Sequence, residues 1–158
     1  GLVGSEMCIR DSQYTNLPAI WGAYLTMAGP CTEMLMYEIA AQTISTVMMG
    51  CNPFGVAPNK GTTPNYCTPM ESQFMAEVAY ATTQIDRKTA GELVEKLVQK
   101  YEHTFETKEY PKGKTFPELY DLETVEPKEE YLELRRKIWA ELEEMGLPQY
   151  TPSISSYR

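Results

Sequence analysis

The chain has 158 residues, of which 42% are hydrophobic and 23% charged, and its formal net charge is −8. That length suffices for one domain burying about two-thirds of its extended surface, and the acidic balance with its scattered lysines argues against nucleic acid as a partner. No apolar run reaches the roughly 20 residues needed to cross a bilayer, because Glu38, Gln42, Thr43 and Ser45 interrupt even the segment from Met34 to Met49, so no membrane partner is expected.

Residues 1–12 read as a non-native segment. Gly1-Leu2-Val3-Gly4-Ser5-Glu6-Met7-Cys8-Ile9-Arg10-Asp11-Ser12 resembles translated sequencing-adaptor read-through at the end of a metagenomic reading frame. It lacks the basic start and apolar run of a signal peptide. From Ala19 to Ala28 the residues are mostly apolar without clean alternation, which is how a strand buried on both faces reads. Gly29-Pro30 turns the chain, proline fits a first helical position, and Glu33 falls in the first turn of a helix running to about Met49 and ending at Gly50. Apolar residues cover over half of that helix, so packing on more than one side is expected.

Cys51 to Cys67 holds Pro53, Gly55, Pro58, Gly61 and Pro64, leaving room for a short strand over 54–57 inside a long loop. Thr68-Pro69-Met70-Glu71 is a capping box opening a helix to about Gln84, with Met70, Phe74, Val78 and Ala81 on one face. Thr89 with Glu92 repeats the device, followed by a stripe of Leu93, Leu97, Val98, Tyr101 and Phe105. Pro111-Lys112-Gly113 breaks that helix, Thr115 with Glu118 caps a short turn, and Pro127 starts a last helix ending at Gly146. Its face of Tyr131, Leu134, Ile138, Leu142 and Met145 points inward, while Glu129, Glu130, Glu133, Arg136, Lys137, Glu141 and Glu144 read as solvated. Residues 148–158 read as a loose tail.

Strands alternating with helices indicate an α/β fold with a parallel sheet, yet two strands cannot make such a sheet alone, so further strands are expected upstream. Cys31, Cys51 and Cys67 form no Cys-x-x-Cys pair and have no nearby histidine, which fits reduced thiols in the cytoplasm rather than a metal site or a disulfide framework. Cys31 at a helix start is either a reactive thiolate or, preferably, a small residue packed under a turn. His103, the single histidine, lies off the apolar stripe and reads as solvated. Gly113-Lys114-Thr115 mimics the end of a phosphate loop but lacks its earlier glycine and preceding strand, so a turn and helix cap is the reading.

Ala28-Gly29-Pro30-Cys31-Thr32-Glu33-Met34, Glu38, Met70-Glu71, Gly113-Lys114-Thr115-Phe116, Thr124-Val125 and Glu129-Glu130-Tyr131 stand together in register. From about Met27 to Leu147 the chain resembles the C-terminal third of the monomethylamine:corrinoid protein methyltransferases of methanogenic archaea. The resemblance implies the C-terminal part of a TIM (β/α)8 barrel, a fold of about 250 residues. Residues 13–110 would be its last strands and helices and residues 111–147 a C-terminal helical extension. It further implies transfer of a methyl group from monomethylamine, or a related methylated amine, to the cobalt of a corrinoid held by a separate protein. An in-chain pyrrolysine does the capture at a position upstream of residue 1, so no catalytic residue, corrinoid or metal is expected on this stretch, which alone would be inactive. The family's strand carries Gln and Tyr at the positions of Ala23 and Leu25, with a tyrosine at Tyr24 between them. These three are the implied substrate-pocket positions, and Ala23 and Leu25 lack the polar groups. Glu33 is then either an acid at the barrel mouth or, preferably, a first-turn helix residue.

The resemblance also implies a homo-oligomer in the cytoplasm, with the corrinoid protein and methylamine as partners. A non-catalytic barrel-derived assembly module, or a paralogue with a different methyl donor, is the competing reading, sustained by Ala23 and Leu25. Residues 13–158 alone are expected to expose the apolar faces of the Met34 and Met70 helices.

Overall fold

The computed structural model describes residues 14–15, 18–22 and 26–150. Strand β1 (Ile20–Gly22), helix α1 (Glu33–Met48) and strand β2 (Asn52–Phe54) come first. The strands pair in parallel, Ile20 opposite Asn52 and Gly22 opposite Phe54, so α1 is the crossover that parallel pairing requires. A tight turn at Pro58–Gly61 follows, then α2 (Pro69–Thr82), α3 (Arg87–Gln99), α4 (His103–Thr107), α5 (Phe116–Leu119) and α6 (Glu129–Met145).

Several boundaries differ from the sequence expectation, each for a local reason. Helix α1 starts at Glu33 rather than Pro30, because Cys31 takes a left-handed φ of 61° and the extended Thr32 is the N-cap, its hydroxyl accepting from Leu35 N–H. β2 lies at 52–54 rather than 54–57, because Gly55 turns the chain at φ 64°. Asp86 rather than Thr89 caps α3, its carboxylate accepting from Lys88 and Thr89 N–H at 2.8 and 2.9 Å. The apolar stripe beyond Leu97 bends at Lys100, leaving Phe105 on the separate α4. Pro127 lies in a bridge with Tyr120, and Lys128 is the N-cap of α6. The capping boxes at Thr68/Glu71 and Thr115/Glu118 form as read.

Helix α1 is the centre of the core and packs against α2, α3 and α6. Leu35, Met36, Ile39, Ala40 and Ile44 are fully buried along it, meeting Phe74 and Val78 of α2, Leu93 and Leu97 of α3 and Ile138 and Leu142 of α6 in one cluster. Each such aliphatic or aromatic side chain contributes about 1.5–3 kcal/mol by leaving water. The expected exposure of the Met34 and Met70 faces is therefore corrected. Met34 is 6% and Met70 2% exposed, because helices later in the same chain cover them. What stands open is the strand pair, with Ile20 64% and Phe54 62% exposed.

The charged side of α6 is only partly solvated. Glu141 accepts from Tyr37 O–H of α1 at 2.8 Å and pairs with Lys100 at 2.7 Å, and Lys137 pairs with Glu33. Glu77 of α2 accepts from Arg135 at 2.5 Å and from Trp139 Nε1–H at 3.0 Å. Among the described residues no helix is long and apolar enough to cross a membrane.

Candidate functional site

Parallel strands joined by helices place their carboxyl ends on one face, and in barrels that face carries the chemistry. Here it is built from the segment 26–32 after β1, the turn 57–61 after β2, and residues 111–116. Ala23, Tyr24 and Leu25, the pocket positions implied by resemblance, lie outside the described residues.

The segment 26–32 has its backbone polar groups engaged from several directions. Thr26, fully buried, donates its hydroxyl to Ala57 O at 3.1 Å, while Thr26 O accepts from Lys60 N–H at 2.8 Å. Ala28 O accepts from Asn59 N–H at 2.9 Å, so the exits of β1 and β2 are tied together. Asn59 and Lys60 both adopt left-handed backbone, which aims their N–H groups at that neighbour. On the helix side, Met27 and Ala28 N–H donate to the carboxylate of Glu38 at 2.9 and 3.1 Å. Glu38 is only 2% exposed, and burial pushes its carboxyl above the usual carboxylate range, opposed by these donated hydrogen bonds.

Residues 111–116 approach from the opposite side. Gly29 N–H donates to Pro111 O at 2.8 Å and Lys114 N–H to Pro30 O at 3.0 Å. The backbones come so close that a Cβ on Gly29 would lie 1.7 Å from Lys112 O. The phosphate-loop-like Gly113-Lys114-Thr115 is thus a turn and cap, as read from its sequence.

Beneath this, Tyr131 O–H donates to Glu71 Oε1 at 2.5 Å, and Glu71 Oε2 accepts from Thr68 N–H at 2.7 Å. Both residues are fully buried. Burial, the Glu71 charge and the hydrogen bond all push the Tyr131 phenol far above its ordinary range, so it remains a donor. A shallow hollow of about 460 Å³ opens beside the mouth, lined by residues including Ala57, Pro58, Asn65, Tyr66 and Cys67.

The single-residue candidates resolve as follows. Burial, then the charge of Glu130, raises the Cys31 thiol against the opposing charge of Lys114, which disfavours a thiolate there. Glu33 is exposed in the first turn of α1 and pairs with Lys137. His103 is exposed on α4. Sequence reasoning assigned no role to Glu38 or to the Glu71/Tyr131 pair. The capping box at Thr68 signals Glu71, whereas nothing in local spacing signals a glutamate reaching back across a turn. The arrangement as described can fix backbone and exclude water; it offers no nucleophile and base pair.

Against known proteins, a family profile described as monomethylamine methyltransferase MtmB matches residues 2–147. The chain belongs to the monomethylamine methyltransferase family. That match includes residues 2–12, the segment read as non-native. Among its relatives, monomethylamine methyltransferase MtmB1 of Methanosarcina barkeri is 36% identical over 92% of this chain and 31% of its own length. MtmB1 of Methanosarcina acetivorans is 38% identical over 89% and 30%. A crystal structure of the Methanosarcina barkeri monomethylamine methyltransferase superposes with a TM-score of 0.82 at 37% identity, again over 89% of this chain and 30% of that one. A hydroxylamine complex of MtmB gives a TM-score of 0.83. The chain thus spans about 30% of the length of these methyltransferases. Their barrel accounts for the two-stranded parallel sheet: β1, α1 and β2 are one strand-helix-strand step of the C-terminal part of a TIM barrel, and the face built by 26–32 and 57–61 is its mouth.

Proposed function

We propose that the protein to which this chain contributes its C-terminal part transfers a methyl group from monomethylamine to the cobalt of a corrinoid protein in the cytoplasm, acting as a homo-oligomer. The observation that carries the reading is the match of residues 2–147 to the methyltransferase family, together with the superposition of 89% of the chain on a solved methyltransferase. In the part of the intact protein upstream of this chain, a pyrrolysine would supply an electrophilic imine to hold the amine, and a reduced cobalt on the corrinoid protein would take the methyl group as ammonia is released.

The chain's own residues hold the rim of that reaction chamber. Glu38, Gly29 and the 111–114 backbone fix the segment after β1, and Ala23, Tyr24 and Leu25 just before it are the pocket positions. With Ala23 and Leu25 offering no polar side chain to an amine, orientation of the substrate falls to upstream residues.

The test is to supply the full-length protein with monomethylamine and a reduced corrinoid protein and to follow methyl-cobalt formation by its absorption change. Methylamine-dependent methylation supports the reading. An intact, folded protein that methylates no corrinoid from monomethylamine refutes it.

A further inference from the structure

Glu38 is a carboxylate buried in the middle of α1, and none of the ion pairs among the described residues includes it. Burying such a group is costly unless donors satisfy it. Among the described residues its donors are backbone: Met27 N–H reaches Oε1 at 2.9 Å and Oε2 at 3.1 Å, and Ala28 N–H reaches Oε2 at 3.1 Å. An ionised carboxylate, acceptor on both oxygens, matches that pattern; a protonated one would present a hydroxyl to an N–H. The two residues so held are flanked by Thr26 O and Ala28 O, which accept from the turn after β2. One side chain on the rigid central helix therefore sets where the exits of two adjacent barrel strands lie.

We infer that Glu38 is a positioning residue of the methyltransferase, holding the backbone of Met27 and Ala28 and through it the mouth of the barrel in its working geometry. The inference rests on the methyltransferase reading above. Barrel chemistry occurs at the mouth, where displacement of a positioned group by about 1 Å costs up to about a hundredfold in rate. Glu38→Gln removes one acceptor and turns an amide toward a backbone N–H, and Glu38→Asp keeps the charge but retracts it by one methylene.

The test compares both variants with Glu77→Gln, which disturbs the α2–α6 contact with Arg135 and Trp139 away from the mouth. In the full-length enzyme with monomethylamine and the corrinoid protein, the Glu38 variants should lower kcat about tenfold or more. Glu77→Gln should lose similar thermal stability with kcat unchanged at a temperature where all are folded. In the same full-length protein, amide exchange at Met27 and Ala28 should quicken in the Glu38 variants and not in Glu77→Gln. An active wild-type enzyme whose kcat is indifferent to both Glu38 variants overturns the inference. A wild-type enzyme inactive on methylamine overturns the methyltransferase reading instead, and unchanged exchange at Met27 and Ala28 then overturns the latch itself.

Discussion

Gly29 and Gly113 pack backbone against backbone, with no room for a side chain on either. A Cβ on Gly113 would lie 2.3 Å from Pro30 O and 2.5 Å from Gly29 C, and one on Gly29 would lie 1.7 Å from Lys112 O. The hydrogen bonds from Gly29 N–H to Pro111 O and from Lys114 N–H to Pro30 O run on either side of this contact. The C-terminal segment is thereby fastened to the exit of β1, and two motifs far apart in sequence become one structural feature.

Alanine at either glycine should destabilise the chain, by about 3 kcal/mol or more at Gly113, where a clash adds to the strain of φ 69°. Gly91 is the control. A Cβ there meets nothing within 4 Å and the residue lies inside α3, so Gly91→Ala should stabilise by about 0.5–1 kcal/mol. Urea denaturation of the three variants reads the difference, and equal effects at Gly29 and Gly91 would contradict the close approach.

Much of the architecture is legible in the sequence because it is encoded locally. The capping boxes at Thr68 and Thr115, the stripe of Met70, Phe74, Val78 and Ala81, and the stop at Gly146 are each fixed by residues within a few positions of one another. What escapes the sequence is non-local. Nothing near Cys31 announces a left-handed residue that delays α1, and Glu38 reads as an interruption in an apolar helix until the turn it serves has folded back onto it. Glu141 and Lys137 look solvated until α1 and α3 supply Tyr37, Lys100 and Glu33. Gly29, Glu38, Glu71, Gly113 and Tyr131 are among the many residues that carry the family resemblance, which gave them no structural role, and in the structure each helps hold the mouth or the layer beneath it.

Tyr131→Phe should cost about 2 kcal/mol, since it deletes a hydrogen bond to a buried carboxylate and leaves Glu71 Oε1 short of a donor. Combining it with Glu71→Gln in a double-mutant cycle should give a coupling of at least about 1 kcal/mol. Additive effects in chemical denaturation would mean that the 2.5 Å contact contributes nothing specific.

Glu77→Ala should cost about 2–3 kcal/mol by stranding Arg135 and the Trp139 indole N–H, both largely buried between α2 and α6. Replacing the pair together, as Glu77→Leu with Arg135→Met, should recover most of that loss because neither half then needs a partner. Thermal melts of the single and double variants decide the matter; a double variant no better than Glu77→Ala would show that Trp139, rather than Arg135, sets the cost.

Stability should fall as pH rises from mildly acidic toward neutral. Burial raises the carboxyls of Glu38 and Glu71 above the ordinary 4.5. Each therefore binds its proton more tightly in the folded chain than in the unfolded one, and the stability so gained is complete below pH 4.5 and lost as pH rises through the folded value. Opposing them, the Thr89 and Thr124 N–H groups hold Asp86 and Asp121 below their ordinary 3.8. Their contribution is present above pH 3.8 and disappears as pH falls through the lowered values. The melting temperature, measured by calorimetry at fixed ionic strength, should peak between the values of the lowered carboxyls, Glu118 and Glu141 among them, and those of the raised pair. Glu71→Gln should flatten the decline above that peak, and a wild-type melting temperature that climbs steadily from pH 5 to 7 would show that the two buried carboxyls do not govern this window.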